Sequence, residues 1–197
     1  MHFNTQRSIK RILDIFIAIA GTIILLPLIL FTAIIVKLSS KGPLFFLQER
    51  VGYNENYFLI WKFRSMNITA EETGPQLSSE EDKRITAWGK IMRRWRLDEF
   101  PQLWNVLKGD MSIVGPRPER KYFIAQIVQT HPEYLKLLKV KPGLTSMGMV
   151  KFGYAENVEE MIERMKYDLI YVENSSLLLD VKIILQSIKV IFAGKGK

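Results

Sequence analysis

The chain contains no cysteine in 197 residues, which excludes disulfide bridges and thiolate metal sites and suits a reducing, cytoplasmic setting for its body. Internal repeats and low-complexity tracts are also missing, so nothing points to a solenoid or a biased linker. Charge is absent from one long stretch: the 22 residues from Ile15 to Val36 carry no charged side chain. A secretory signal peptide is a poor match there. The run is longer than a signal core, and Ser39-Ser40-Lys41-Gly42 is not a small-residue cleavage site. What is present in excess is positive charge, a net +8, which attracts nucleic acid, an anionic leaflet or phosphorylated substrates. The apolar stretch favours the membrane surface and phosphates. Nucleic acid is not expected, because the basic residues are scattered and no aromatic-basic platform accompanies them. Trp61, Trp88, Trp95 and Trp104 read instead as core or membrane-interface residues.

An apolar run of this length suffices to cross the roughly 30 Å hydrocarbon layer as one helix. Pro27 in its middle makes a straight span costly, since proline removes a donor and clashes with the preceding turn. Arg7, Lys10 and Arg11 precede the run and Lys37, Lys41 and Arg50 follow it, so the flanks lack the asymmetry of a single crossing. The expectation is a re-entrant helix that bends at Pro27 and returns, with a simple span as the alternative. The chain is long enough for this element plus one ordinary domain. The expected class is α+β: residues 1–40 form the re-entrant membrane helix and its flanks. Residues 41–197 form a small, mostly helical cytoplasmic domain that contains a β-hairpin and amphipathic interfacial helices.

Pro43–Val51 and Tyr57–Phe63 read as the two strands of the hairpin, joined by Gly52-Tyr-Asn-Glu-Asn56. Residues 69–82 are polar and read as a loop, either a lid or a solvated linker. Ile85–Arg96 has helical character. A further helix is expected to begin at Asp98 as N-cap, with Pro101 in its first turn and Gly109 as its stop. Lys121–Leu138 reads as helix interrupted at His131-Pro132, Pro142-Gly143 as a turn, and Val158–Asn174 as helix. Leu177–Phe192 spaces Asp180, Lys182, Gln186 and Lys189 at helical intervals, which fits an interfacial helix or a core helix equally.

The densest ionic cluster is Arg93-Arg94-Trp95-Arg96-Leu97-Asp98-Glu99. Carboxylates at a helix start lie near the positive end of the dipole, a place that also suits phosphate. Capping plus surface charge is the plainer explanation of such a pair. In Gly115-Pro-Arg-Pro118 two prolines stiffen the backbone around Arg117, whose planar fork matches phosphate oxygens. A tight turn with an incidental arginine reads almost as well. Lys62 and Arg64 fall on one face of the second strand by alternation, either solvated or functional.

Together these pieces are far more specific than any one of them. The chain resembles the bacterial sugar transferases, the monotopic phosphoglycosyl transferases that begin glycan assembly on a polyprenol carrier. The matching segments run in order: Lys10-Arg11-Ile-Leu-Asp14, Phe46-Leu-Gln-Glu-Arg-Val-Gly52, Lys62-Phe-Arg-Ser-Met66, Leu97 to Ser112, Val114-Gly-Pro-Arg-Pro118, Lys141-Pro-Gly-Leu-Thr145 and Tyr167-Asp-Leu-Ile-Tyr171. They correspond to the minimal catalytic unit. The resemblance implies that a UDP-sugar and polyprenyl (undecaprenyl) phosphate give polyprenyl diphosphate-sugar and UMP, with Mg2+ as cofactor. It implies Asp98 as nucleophile and metal ligand, and Glu99 as support for metal binding or proton transfer. Arg93, Arg117, Lys62 and Arg64 become phosphate contacts, and Pro27 the membrane bend. It further implies the cytoplasmic face of the inner membrane, a possible homo-oligomer and possible downstream glycosyltransferase partners.

The sequence departs from the family pattern at Leu26 before Pro27, at Arg96 before Leu97-Asp98-Glu99, and at Ser146 and Met149 after Pro142-Gly143. The last region bears on sugar or nucleotide selection. A non-catalytic membrane scaffold that binds anionic lipid or partner enzymes is the competing reading. It accounts for the charge, the apolar run and the tail, but not for Asp98-Glu99, Arg117 and the Pro-Gly turns occurring together.

Overall fold

In the computed structural model, which describes residues 2–72, 74–79 and 81–194 with side chains from Gln6 onward, the apolar run is part of a 38-residue helix, α1 (His2–Ser39). The helix runs on through Pro27. It is the one helix among the described residues long and apolar enough to cross a membrane, which is compatible with membrane association. One side packs inward, with Ala18, Thr32 and Val36 fully or almost fully buried, while Phe16, Ile24, Ile34 and Leu38 stand exposed. Both halves of α1 are fastened to the same folded body. Near the start, Lys10 pairs with Asp180 at 2.6 Å and the Asp14 carboxylate accepts the Ile113 N–H at 3.0 Å. Near the end, Val36 joins Phe63 and Met92 in one apolar cluster. Burying each such side chain is worth about 1.5–3 kcal/mol, so this end too is anchored to the body.

The hairpin forms as its alternation implies. Strands β1 (Phe45–Val51) and β2 (Tyr57–Phe63) pair antiparallel with Phe45 opposite Phe63 and Val51 opposite Tyr57. The turn between them puts Asn54 and Glu55 at positive φ. After a short 3-10 turn at Ile68–Glu71 the described residues up to 82 are irregular, yet side chains tie them down: Arg84 donates to the carbonyls of Ala70 and Leu77. Helix α2 (Ala87–Arg94) is capped by Thr86, whose hydroxyl accepts from the Gly89 N–H at 2.9 Å. A Cβ on Gly89 would lie 1.9 Å from the Ser65 carbonyl oxygen, so α2 rests directly on the backbone that leaves β2.

The expected single helix from Asp98 is instead two pieces. Leu97–Glu99 is one 3-10 turn, and α3 (Gln102–Lys108) follows with Pro101, not Asp98, at its N-cap. Gly109 ends α3 in the left-handed conformation, as expected. Asn105 is fully buried and locks α3 to β2. Its side-chain amide donates to the Leu59 carbonyl at 2.7 Å, and its side-chain oxygen accepts the Trp61 N–H at 3.0 Å.

Two short strands lack the length to register as sequence periodicity. β3 (Ser112–Val114) and β4 (Gly143–Thr145) pair in parallel, Ser112 opposite Gly143 and Val114 opposite Thr145. Pro142-Gly143 thus enters a strand where a turn was expected. A Cβ on Gly143 would lie 2.1 Å from the Gly115 nitrogen, so only glycine allows this approach. α4 (Lys121–Thr130) gives way at His131-Pro132 to a 3-10 segment, Pro132–Lys139. α5 (Met147–Lys151), α6 (Val158–Glu173) and α7 (Leu177–Phe192) complete the chain. α7 buries Asp180, Ile183 and Ser187 and exposes Leu178, Val181, Leu185 and Phe192 on its other side, so it serves the core with one face only.

Candidate active site

A cleft of about 260 Å³ opens between the hairpin, α2, the Asp98 turn and the Arg117 loop. Lys62, Arg64, Arg93, Asp98 and Arg117, distant in sequence, all line it. The expected alternation holds, for Lys62 and Arg64 face the same space. Pro27 lies outside this cleft, within α1.

Local backbone geometry presents the two acids. Trp95 closes α2, and Arg96 then adopts φ 53°, ψ 26°, a left-handed conformation that costs a non-glycine residue about 1 kcal/mol or more. That reversal swings Leu97–Glu99 back across β2. Asp98 and Glu99 end up 5% and 4% exposed, far too buried for carboxylates that were merely surface charge. α3 is only seven residues long, and its N-cap is Pro101. Side-chain cations, and not the helix dipole, therefore set the potential at this pair.

Glu99 sits behind the cleft wall as the hub of those cations. Lys62 Nζ lies 3.0 Å from Oε1, Arg96 Nη1 3.4 Å from Oε2, and Arg117 Nη2 3.5 Å from Oε1. Burial alone would push its carboxyl upward, but Lys62, then Arg117 and Arg96, outweigh this and hold it well below the usual carboxylate range. Asp98 goes the other way. Burial is the largest influence and raises it, the neighbouring Glu99 adds to the rise, and Lys62 with Arg93 only partly opposes. Burial lowers Lys62, against the pull of Glu99. Among the described residues no donor hydrogen-bonds the Asp98 carboxylate, which leaves its oxygens open to the cleft.

Arg93 lies along the cleft with Nε donating to Ser65 Oγ at 3.1 Å and Nη1 to Ser78 Oγ. Arg64 donates through Nη2 to the carbonyl and hydroxyl oxygens of Ser40, at the chain's exit from α1.

Several residues escape sequence reasoning. Glu119 is a second buried hub, 2.7 Å from Arg164 Nη2 and 3.0 Å from Arg50 Nη1. Asp168 accepts the Gly148 N–H at 2.7 Å and the Arg117 N–H at 3.3 Å, and so holds the Arg117 loop against α6. Burial pushes its carboxyl up to about 6, opposed by the Gly148 N–H and by Arg164. Tyr154 stands on the cleft wall with the guanidiniums of Arg96 and Arg117 over its ring. Glu119 adjoins the Pro-Arg-Pro motif and Asp168 falls in a matched segment, so both carried a hint. Tyr154 carried none.

The arrangement is an open acidic side chain in a basic cleft beside a membrane-competent helix, which suits capture of a phosphorylated substrate at a lipid boundary. The chain matches the model of the bacterial sugar transferase family over residues 5–194 and belongs to that family. It is 43% identical over 188 residues to a UDP-N-acetylgalactosamine-undecaprenyl-phosphate N-acetylgalactosaminephosphotransferase of Aeromonas hydrophila, covering 95% of this chain and 44% of that relative. It is 37% identical over 195 residues to the UDP-glucose:undecaprenyl-phosphate glucose-1-phosphate transferase of Escherichia coli K12, with 98% and 42% covered. A Caulobacter vibrioides protein of that same name is 40% identical over 187 residues, with 91% and 68% covered. The chain thus spans less than half the length of the first two of these relatives.

Proposed function

We propose that the chain is a phosphoglycosyl transferase that moves a sugar 1-phosphate from a UDP-sugar to polyprenyl phosphate, undecaprenyl phosphate by the names of its relatives. The single observation that carries this reading is the Asp98 carboxylate: buried, open to the cleft, accepting no hydrogen bond from the described residues, and surrounded by Lys62, Arg93 and Arg117.

In the first step an Asp98 oxygen attacks the sugar-linked phosphorus. The bond from that phosphorus to the oxygen bridging the two phosphates breaks, and UMP leaves. In the second step an oxygen of the lipid phosphate attacks the same phosphorus. The aspartyl oxygen–phosphorus bond breaks, freeing Asp98 and giving polyprenyl diphosphate-sugar. Splitting one encounter of two large anions into two transfers lowers each barrier. Arg93, Arg117, Lys62 and Arg64 offset the phosphate charges, and Arg117 offers a fork suited to paired oxygens. Glu99 holds Lys62 at 3.0 Å and attracts Arg117 over a longer contact from behind the wall.

Among the described residues no three His, Asp or Glu side chains gather into a metal cage. That still fits Mg2+, which takes one or two carboxylates and completes its shell with phosphate oxygens and water. Asp98, with its oxygens open, is the residue that would hold it, whereas Glu99 is already engaged by cations. When bound, the ion would supply charge neutralisation of the diphosphate.

The membrane reading is monotopic. Both halves of α1 are pinned to the body that carries the cleft, which supports a helix that dips into one leaflet and returns, and the exposed stripe of α7 would lie in the headgroup plane. The site then faces the cytoplasmic side of the inner membrane, where a soluble nucleotide sugar meets a lipid phosphate.

Incubation with a panel of UDP-sugars and Mg2+ is expected to release UMP and to add the mass of one phosphosugar to Asp98. Asp98→Asn is expected to abolish both. Normal turnover by that variant, or an adduct on another residue, would refute the nucleophile assignment; silence across the panel with lipid binding intact would favour the scaffold.

A further inference from the structure

Tyr154 belongs to the six-residue connector 152–157 between α5 and α6, and the connector is anchored at both ends. At its start Gly153 takes φ +104° and donates its N–H to the Gly148 carbonyl at 3.1 Å, which turns the chain sharply out of α5. At its end Asn157 caps α6 by accepting the Glu160 N–H at 2.8 Å. Ala155, next to the tyrosine, is buried in the core that holds α4 and α6. The ring is therefore carried on a stiff segment, and it points at the cleft.

Two guanidiniums lie over that ring: the Arg96 carbon at 5.1 Å from the centroid and the Arg117 carbon at 5.2 Å. The same two arginines share the Glu99 carboxylate, but their polar contacts are long. Arg117 reaches Glu99 at 3.5 Å through both terminal nitrogens and Glu119 at 3.9 Å, and Arg96 reaches Glu99 at 3.4 Å. Contacts at that distance are at the outer limit of a hydrogen bond and set direction poorly. Stacking on an aromatic face restrains the plane of a guanidinium while leaving its N–H edge free to donate. A phosphate approaching Arg117 benefits from that combination: a plane held in place and donors engaged only by long contacts.

We propose that Tyr154 is a positioning residue, an aromatic platform that aligns the cleft-lining guanidinium of Arg117 for the diphosphate of the nucleotide sugar, with Arg96 held against the same ring behind the wall. It acts through Arg117 and exchanges neither a proton nor a covalent bond with the substrate. The proposal rests on the phosphoglycosyl transferase reading for the identity of the anion, and on the ring geometry for the role.

The test uses the full chain in detergent or nanodiscs, with UDP plus Mg2+ as the binding probe and a UDP-sugar as the turnover probe. Tyr154→Leu is expected to weaken UDP binding and to raise the KM for UDP-sugar about tenfold, with kcat changed much less; Tyr154→Phe is expected to restore both. Leucine changes the shape of the side chain on the connector, so phenylalanines carrying one, two and three ring fluorines at position 154 supply a series of nearly constant shape. Progressive fluorination drains the ring face of negative potential, so UDP affinity is expected to fall stepwise along the series. A flat series, or equal loss in Tyr154→Phe and Tyr154→Leu, would overturn the platform. A fluorinated series graded in UDP affinity, beside wild-type protein that never releases UMP from a UDP-sugar, would refute the transferase reading and leave the platform standing.

Discussion

Asp98 and Glu99 are neighbours on one 3-10 turn, yet their surroundings drive their carboxyl groups in opposite directions. Glu99 faces inward onto three cations and stays ionised, while Asp98 faces the cleft, where burial dominates. Two adjacent acids thereby take two environments, one engaged by cations and one open to the cleft, as the proposed mechanism requires. Asp168 extends the same logic to stability. Its carboxyl rises from an ordinary 3.8 to about 6, so the folded state binds that proton more tightly than the unfolded chain. The resulting stabilisation is complete below about pH 3.8 and is lost as pH rises through about 6, on the order of 3 kcal/mol in all. Asp168→Asn removes the titration. The melting temperature of the variant relative to wild type is therefore expected to climb by about 5 °C or more between pH 4 and pH 7. Thermal unfolding at both pH values checks this, and a constant difference would contradict it. Of these three acids, Asp98 and Glu99 stood out in the sequence beside punctuation and basic residues, and their roles came from the family resemblance. Asp168 sits within an ordinary helical stretch, and its importance comes from backbone N–H groups 20 and 51 positions away.

At the scale of elements, the cleft depends on close approaches that only small residues permit. α2 brings Arg93 to the cleft by lying against the Ser65 carbonyl, and Gly89 is the contact. Gly89→Ala would place a methyl carbon 1.9 Å from that oxygen, and the neighbour is backbone that cannot rotate away. Overpacking of this kind costs about 1–3 kcal/mol. The variant is expected to melt several degrees lower and to bind UDP more weakly as Arg93 shifts; an unchanged melting temperature would show that α2 can slide freely. The longer elements were legible in advance. The hairpin announced itself by alternation and α7 by its polar spacing, both local signals of sufficient length. The parallel pair of β3 and β4 was not, since three-residue strands leave no periodicity and their pairing joins segments 31 positions apart, Ser112 to Gly143. Asp98 as a helix cap failed for a related reason: the left-handed Arg96 is sustained by Glu99 and Tyr154, and a local pattern does not report such support.

For the whole molecule, the long apolar helix α1, compatible with membrane association, is tied to the folded body at both ends. Lys10, Arg11 and Asp14 fix the start of α1 to α7, α3 and β3, with Arg11 donating to the carbonyls of Val106 and Leu107 at 2.6 and 2.8 Å. Arg64 fixes the exit of α1 to the cleft. The absence of native cysteine makes topology directly measurable. With Lys166→Cys as a reference on the exposed face of α6, Gln6→Cys and Lys41→Cys are expected to react with an impermeant maleimide from the same side of the membrane. Labelling of the two α1 sites from opposite sides would eliminate the monotopic arrangement. Sequence by itself determined the length and apolarity of the membrane helix, the hairpin, and the set of acids and cations worth inspecting, because these reside in composition, spacing and short motifs. The tertiary structure decided which acid is left open, which is neutralised, and which aromatic ring supports the arginines. Those outcomes arise from burial and from partners far apart along the chain, and electrostatics in a buried cleft depends on distance in space.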